Sequence, residues 1–273
     1  MPFEYKKVLM LGATSGIGRA LAAKMVENGV SVIAVGRRKE NLDEFAQQYG
    51  NTGKGSVDTA VFDVTKLQEI PSFAKDITTK HPDLDCVFLN SGMQRHLNWA
   101  EPEKVDLNRI ETELLTNYTS VMHLTKAFLP FLQKQAPKPT SIAFTTSGLA
   151  LVPAIFCPGY CSTKAALHHM ILVMRQQLKD ANSNVKVIEL FPPAVQTELH
   201  DAKNQPEFAG KADSIGMPLD EFTDEAWEGL SSEGNEQVPV QMVGTFMGFN
   251  GWEQERQKTF VKMSEYAKKQ LGQ

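Results

Sequence analysis

Tyr160 and Lys164 stand four residues apart in GYCSTKAAL, residues 159–167. On a helix that spacing stacks two side chains on one face. A free tyrosine, with a pKa of about 10, is a poor base near neutrality. A neighbouring ammonium favours the phenolate and lowers that value. A phenol tuned in this way gives a proton to a carbonyl oxygen in a reduction, or takes one from an alcohol in an oxidation. The spacing is weak by itself, because chance supplies about 0.4 such pairs in a chain of this composition. The rest of the chain has to supply the context.

The first support is LMLGATSGIGRA, residues 9–20, where Gly12, Gly16 and Gly18 fall between an apolar strand pattern and a helix pattern. Glycines there allow a tight turn and let backbone N–H groups approach a pyrophosphate. The helix that follows turns its positive dipole end toward the same anion. The alternative is an ordinary tight turn, but the place at the head of a βαβ unit points to a dinucleotide site. The second strand pattern ends in AVGRRKE. An acidic residue at this point accepts hydrogen bonds from the ribose of NAD. Here Gly36 is followed by Arg37 and Arg38, two guanidinium groups suited to a 2′-phosphate. This favours NADP(H) over NAD(H), against the alternative of a solvated basic cap on the next helix.

The elements that must position these residues read as alternating strands and helices. Strand patterns cover 7–11, 30–35, 58–62, 84–89, 141–145 and 185–190; helix patterns cover 17–28, 39–49, 66–80, 105–133 and 159–181. Short apolar runs bounded by Gly, Pro and Asp are typical of strands buried on both faces. Repeated βα units require a parallel sheet with helices on both sides. The expected fold is therefore α/β, a single doubly wound parallel sheet of Rossmann type. Residues 1–273 are expected to form one catalytic domain, with 192–230 as a substrate loop or lid and 245–273 as a helical extension. A last strand is expected at 238–243. An amphipathic helix is expected over 252–271, packed on the same domain, with an oligomer contact as the alternative.

Composition narrows the function classes. The chain has 273 residues, 42% of them hydrophobic, and a net charge of −4. It offers no basic field for nucleic acid or an anionic membrane. Cys86, Cys157 and Cys161 fit no metal spacing and read as buried free thiols. The six histidines are scattered, so no metal is expected. With no signal peptide or spanning segment in the pattern, a cytoplasmic location is expected.

Along residues 5–198 the sequence resembles the short-chain dehydrogenase/reductase family. GATSGIG matches its glycine turn, Asn90-Ser91-Gly92 its motif after strand four, and LLTNYTS at 114–120 the helix that bears its catalytic asparagine. TTSG at 145–148 matches its strand-five serine, Ser147, thirteen residues before Tyr160, and FPPAVQT at 191–197 its nicotinamide loop. MPLDEF at 217–222 resembles a stretch of DltE-like members. The resemblance implies a strand order of 3-2-1-4-5-6-7. It implies Tyr160 as the acid/base, Lys164 as the group that lowers its pKa and binds the nicotinamide ribose, and Ser147 as the hydrogen-bond partner of the substrate oxygen. It implies Asn117 as the holder of a relay water. For the cofactor it implies Gly12, Thr14, Ser15, Gly16, Ile17 and Gly18 at the turn, and Asp63 and Val64 at the adenine. Asn90, Ser91 and Gly92 follow along the ribose, and Pro192, Val195 and Thr197 at the nicotinamide. It also implies a homodimer or homotetramer built on the helices at 105–133 and 159–181. The chain departs from the family pattern at Leu11, Ser91 and Pro193. Proline lacks an N–H and fixes φ, so the carboxamide loop is expected to be reshaped.

Together these features imply NADP(H)-dependent reduction of a ketone or aldehyde to an alcohol. The same site run as an alcohol dehydrogenase is the first alternative, and a non-catalytic dinucleotide-sensing protein the second. Met93, His96 and Trp99 after strand four, Leu149 and Phe156 before Tyr160, and Leu199 and Phe208 in the loose loop are the candidate substrate pocket. An apolar small-molecule carbonyl or alcohol is the expected partner. Arg95 or His96 is the alternative holder of an anionic group.

Overall fold

The computed structural model describes residues 3–50, 54–201, 205 and 216–271. Seven strands form one parallel sheet in the order β3-β2-β1-β4-β5-β6-β7, as expected. They are β1 (Lys7–Leu11), β2 (Ser31–Gly36), β3 (Val57–Val61), β4 (Cys86–Leu89), β5 (Thr140–Thr145), β6 (Val185–Phe191) and β7 (Gln237–Pro239). Between them run α1 (Gly16–Glu27), α2 (Lys39–Tyr49), α3 (Ile70–Lys80), α4 (Leu107–Leu114), α5 (Ser120–Gln133), α6 (Pro158–Asp180) and α7 (Leu219–Ser231), and α8 (Gln254–Leu271) follows β7.

Strand alternation divides the apolar residues between two layers. Val8, Met10, Val32, Ala34, Ile188 and Leu190 join the core under α1, α2 and α7. Leu9, Leu11, Ile33, Val35, Val185 and Val187 join the core under α3, α5 and α6. Leu11, one of the departures from the family pattern, is fully buried in this second layer.

Two expectations change in detail. The last strand stops at Pro239, because proline has no N–H to donate and Gln241 turns the chain at φ 50; residues 241–243 form a 3-10 turn. The helix pattern over 105–133 is two helices joined by a π turn, Leu115–Thr119. Within 192–230, the helix pattern that the sequence also carries over 218–230 is α7, which lies against α1, burying Phe222 and Ala226 beside Leu21 and Ala22 and pairing Asp224 with Lys24 at 2.6 Å. The described residues of the segment before α7 are 192–201, 205 and 216–218; Phe208 lies outside the described residues.

α8 runs along α6, with Arg256 Nη1 at 2.8 Å from His169 Nε2 near one end and Lys268 paired with Asp180 at the other. None of its residues is buried, and Val261, Met263, Tyr266 and Leu271 are exposed. It is held by one ion pair, the Arg256 hydrogen bond and a half-buried Phe260 rather than by a deep apolar seam. Among the described residues no helix is long and apolar enough to cross a membrane.

Candidate active site

The C-terminal ends of the strands open into a cleft of about 1200 Å³. At its β1 end Gly12 takes φ +82, and a Cβ there would lie 2.9 Å from the Ser91 backbone. Glycine is required on both counts. The N–H groups of Gly12 and Ala13 donate to Val35 O at 2.9 Å, locking the turn to the end of β2. Thr14, Ser15, Gly16 and Ile17 line the cleft, but Gly18 does not. Its missing Cβ would sit 2.2 Å from Gly12 O and 2.4 Å from Asn90 Nδ2. Gly18 lets α1 pack against its own turn.

Arg37 and Arg38 enter the cleft from the end of β2. Arg38 donates to Thr14 Oγ1 at 3.0 Å, Ser15 Oγ at 2.6 Å and Glu198 Oε2 at 2.6 Å. Arg37 lies 3.8 Å from Asp63 and is largely exposed. Burial of Asp63 is outweighed by hydrogen bonds from Thr65 and by Arg37, so its carboxyl is held below the usual value. Val64, Ser91 and Gly92 line the same wall. Asn90 crosses between strands, accepting from Thr145 Oγ1 at 2.9 Å and donating to Gly12 O at 3.3 Å.

Ser147, Tyr160 and Lys164 meet at the far end of the cleft. Ser147 lies just beyond β5, where its hydroxyl accepts from Leu149 N at 3.0 Å. Tyr160 and Lys164 stand on the first turns of α6, with Nζ 5.5 Å from the ring centroid. Burial raises the Tyr160 pKa, opposed by hydrogen bonding to Ser147. The phenol is therefore protonated at neutral pH and suited to giving a proton. Burial draws Lys164 down to about 8, opposed by the charge of Glu189; Nζ donates to Thr145 O at 2.8 Å. Well below pH 8 the ammonium predominates.

Asn117 sits in the π turn, behind the cleft wall and fully buried. Its amide is occupied: Oδ1 accepts from Met93 N at 2.9 Å, and Nδ2 donates to Met93 O at 2.8 Å and Thr163 Oγ1 at 3.1 Å. It clamps the chain after β4 to α6. A widened turn of this kind often marks a functional site. Pro192, Val195 and Thr197 line the cleft, and Pro193 with them. This loop is held from behind by a bridge between Val195 and Met217, with Met217 N donating to Ala194 O at 2.9 Å.

Of the candidate substrate residues, Met93, Leu149, Phe156 and Leu199 line the cleft; His96 and Trp99 do not. Arg95 does, and its backbone N–H donates to Glu113 at 2.6 Å. Burial pushes Glu113 up to about 7 against that hydrogen bond. Sequence reasoning missed Gln94, His200, Asp201, Met242 and Met247, which also line this end. The two methionines follow β7 and carry no local signal. Burial lowers the pKa of His200, which favours the neutral imidazole. All three cysteines are buried and free, with Cys157 and Cys161 Sγ 3.8 Å apart on either side of Tyr160. Among the described residues no cluster of His, Cys, Asp or Glu has the makings of a metal site.

The family model for short chain dehydrogenases matches residues 6–207. The chain belongs to the short-chain dehydrogenase family. Its members are oxidoreductases, and the chain is 33% identical over 244 residues to the uncharacterized oxidoreductase DltE of Bacillus subtilis, covering 89% of this chain and 91% of that one. A short-chain dehydrogenase/reductase from Burkholderia phymatum in complex with NAD superposes with a TM-score of 0.76 at 19% identity, covering 87% and 89% of the two chains. An alcohol dehydrogenase from the archaeon Thermococcus sibiricus, complexed with 5-hydroxy-NADP, superposes at 0.68 with 24% identity, covering 82% and 89%.

Proposed function

We propose that this short-chain dehydrogenase uses NADP(H) to reduce a ketone or aldehyde to an alcohol, with Tyr160 as the proton donor. The observation that carries the reading is the meeting of Ser147, Tyr160 and Lys164 at one end of a cleft whose other end is the glycine turn flanked by Arg37 and Arg38. The structural relatives carry NAD in one case and an NADP derivative in the other, so the preference rests on this chain's own residues. The cleft fits a dinucleotide: the turn at Gly12 and Gly16 leaves no Cβ between its backbone and a pyrophosphate, and the two guanidinium groups meet a 2′-phosphate. Asp63 and Val64 would hold the adenine end, and Val195 and Thr197 the nicotinamide end.

When bound, NADPH supplies the hydride. Ser147 orients the carbonyl oxygen and stabilises the charge that develops on it. Tyr160 delivers a proton to that oxygen, and the Lys164 ammonium stabilises the phenolate left behind. Asn117 holds the Met93 backbone, and with it one wall of the substrate end. Met93, Leu149, Phe156 and Leu199 receive the apolar part of the substrate. Alcohol oxidation is the same chemistry reversed, with Tyr160 taking the proton from the alcohol.

Titration calorimetry with NADPH and NADH, followed by a carbonyl panel on wild type and Tyr160→Phe, tests the proposal. NADPH binds much more tightly than NADH, and Arg37→Ala and Arg38→Ala narrow the gap. Tyr160→Phe keeps NADPH binding and loses about 10²- to 10⁴-fold in turnover. Near-normal turnover by that variant refutes the assigned acid. A wild-type protein that binds NADPH and turns over no carbonyl or alcohol is a dinucleotide sensor instead.

A further inference from the structure

We propose that Arg95 recognises an anion at the substrate end of the cleft, so that the carbonyl compound taken there carries a carboxylate on an apolar body. The proposal rests on the carbonyl-reducing reading above and narrows its substrate class. The segment that bears Arg95 is pinned at alternate residues to the elements around Tyr160. Met93 is held by Asn117 through both its N–H and its carbonyl. The Arg95 N–H donates to Glu113 Oε1 at 2.6 Å. The other oxygen of that carboxyl lies so near Gly159 that a Cβ there would meet it. The Leu97 N–H donates to Phe156 O at 3.0 Å. Arg95 is thereby fixed beside the first turn of α6, where Tyr160 follows Gly159. A side chain on a segment held in this way is a pre-organised recognition group.

Arg95 is half-buried and lines the cleft. Its Nη1 donates to Gln94 O at 2.7 Å, and Gln94, itself buried, lines the same wall. That bond uses one of the five N–H donors of the guanidinium. Arg19, Arg37, Arg38, Arg109, Arg175 and Arg256 each pair with a carboxylate. Among the described residues no carboxylate pairs with the guanidinium of Arg95. Glu113 is engaged by the backbone of Arg95 instead, and Asp201 lines this end without pairing with it. A substrate that enters here strips water from the guanidinium. A wholly apolar substrate leaves that charge without an acceptor, which is costly. A carboxylate accepts two N–H bonds in the forked geometry that arginine offers. Met93 and Phe156, on the two strands of chain that this segment joins, line the cleft beside it and suit the apolar body.

The test is calorimetry of the cofactor-free protein with phenylbutyrate and phenylhexanoate, each beside its primary amide. Wild type binds at least one acid about 10-fold or more tightly than its amide. Arg95→Gln removes that preference, with a far smaller change in amide affinity, and Arg95→Lys keeps part of it. A wild type that binds neither acid better than its amide overturns the proposal, and so does an acid preference that survives in Arg95→Gln. If Arg95→Gln does not fold, Arg95→Lys is measured against wild type. Loss of the forked geometry lowers the preference, and an unchanged preference overturns the proposal equally. In turnover, Arg95→Gln lowers kcat/KM for benzoylpropionate by about 10- to 100-fold, through KM, and lowers that for its methyl ester far less. Equal losses for acid and ester mark a merely structural role and overturn the assignment. The binding measurement needs neither cofactor nor chemistry, so it separates this inference from the proposed function. An acid preference that depends on Arg95 in a protein with no turnover supports the anion site while the functional reading fails. Carbonyl turnover with no acid preference does the reverse.

Discussion

Raising the pH from 6.5 toward 9 removes the proton that His168 shares with Glu189 and Glu253, and the folded state loses stability as it goes. Burial opposes the charge on this ring, but the two carboxylates outweigh burial and lift its pKa from 6.5 to about 9. Between those values the native state binds a proton that the unfolded chain does not, so the free energy of unfolding falls with a slope of about 1.4 kcal/mol per pH unit. The full contribution, about 3 kcal/mol, is present below pH 6.5 and gone above about 9. Glu253, drawn down to about 2 chiefly by the same imidazole against the cost of burial, is the other side of this interaction and adds no second increment. Lys164 acts in the opposite sense: its folded value of about 8 lies below 10.5, so stability recovers with pH above 8 and the wild-type curve flattens there. Comparison with His168→Asn isolates the histidine. Urea unfolding of both proteins without cofactor, at half-unit steps from pH 5.5 to 9.5, gives a difference largest below pH 6.5 that shrinks by about 3 kcal/mol toward pH 9. A difference that stays constant across the range refutes the assignment of charge to His168.

Gly18→Ala places a methyl 2.2 Å from Gly12 O; it costs about 1–3 kcal/mol in urea unfolding and weakens dinucleotide binding through the displaced turn, read by calorimetry. Asn117→Ala removes three hydrogen bonds, one of them fully buried, a loss of about 3 kcal/mol that thermal unfolding reports, and it frees the Met93 backbone at the cleft wall. Gly159→Ala meets Glu113 Oε2 at 2.3 Å; it displaces that carboxyl from the Arg95 N–H, and the backbone amide of Arg95 then exchanges with deuterium faster than in wild type.

Much of this molecule is legible in the chain because its signals are local. β1 and the Gly12 turn are contiguous, and Tyr160 and Lys164 are one helical turn apart, so periodicity and spacing place them. The π turn at Leu115–Thr119 is hidden because a widened turn adds one residue to a pattern that still reads as helix. Gly18 has the spacing of a phosphate glycine and the work of a packing glycine, a distinction visible only when Gly12 O and Asn90 are both in place. Met242 and Met247 reach the cleft because Pro239 and Gln241 end the last strand early. Glu189, His168 and Glu253 come together across 21 and 85 residues of chain, and each taken alone looks like an ordinary surface residue.

Arg38 has a partner within the protein: its guanidinium holds Glu198 at 2.6 Å across the cleft mouth. Occupation of this site by the 2′-phosphate of the proposed cofactor is therefore an exchange of one anion for another. On the proposed function, the net electrostatic gain would be the difference between two ion pairs, and selectivity between phosphorylated and unphosphorylated nucleotides would depend on how readily the resident carboxylate is displaced. The carboxylate also belongs to the same short turn as His200, with Asp201 next in the chain, both lining the substrate end, so a displacement at one end of the cleft is mechanically continuous with the lining of the other.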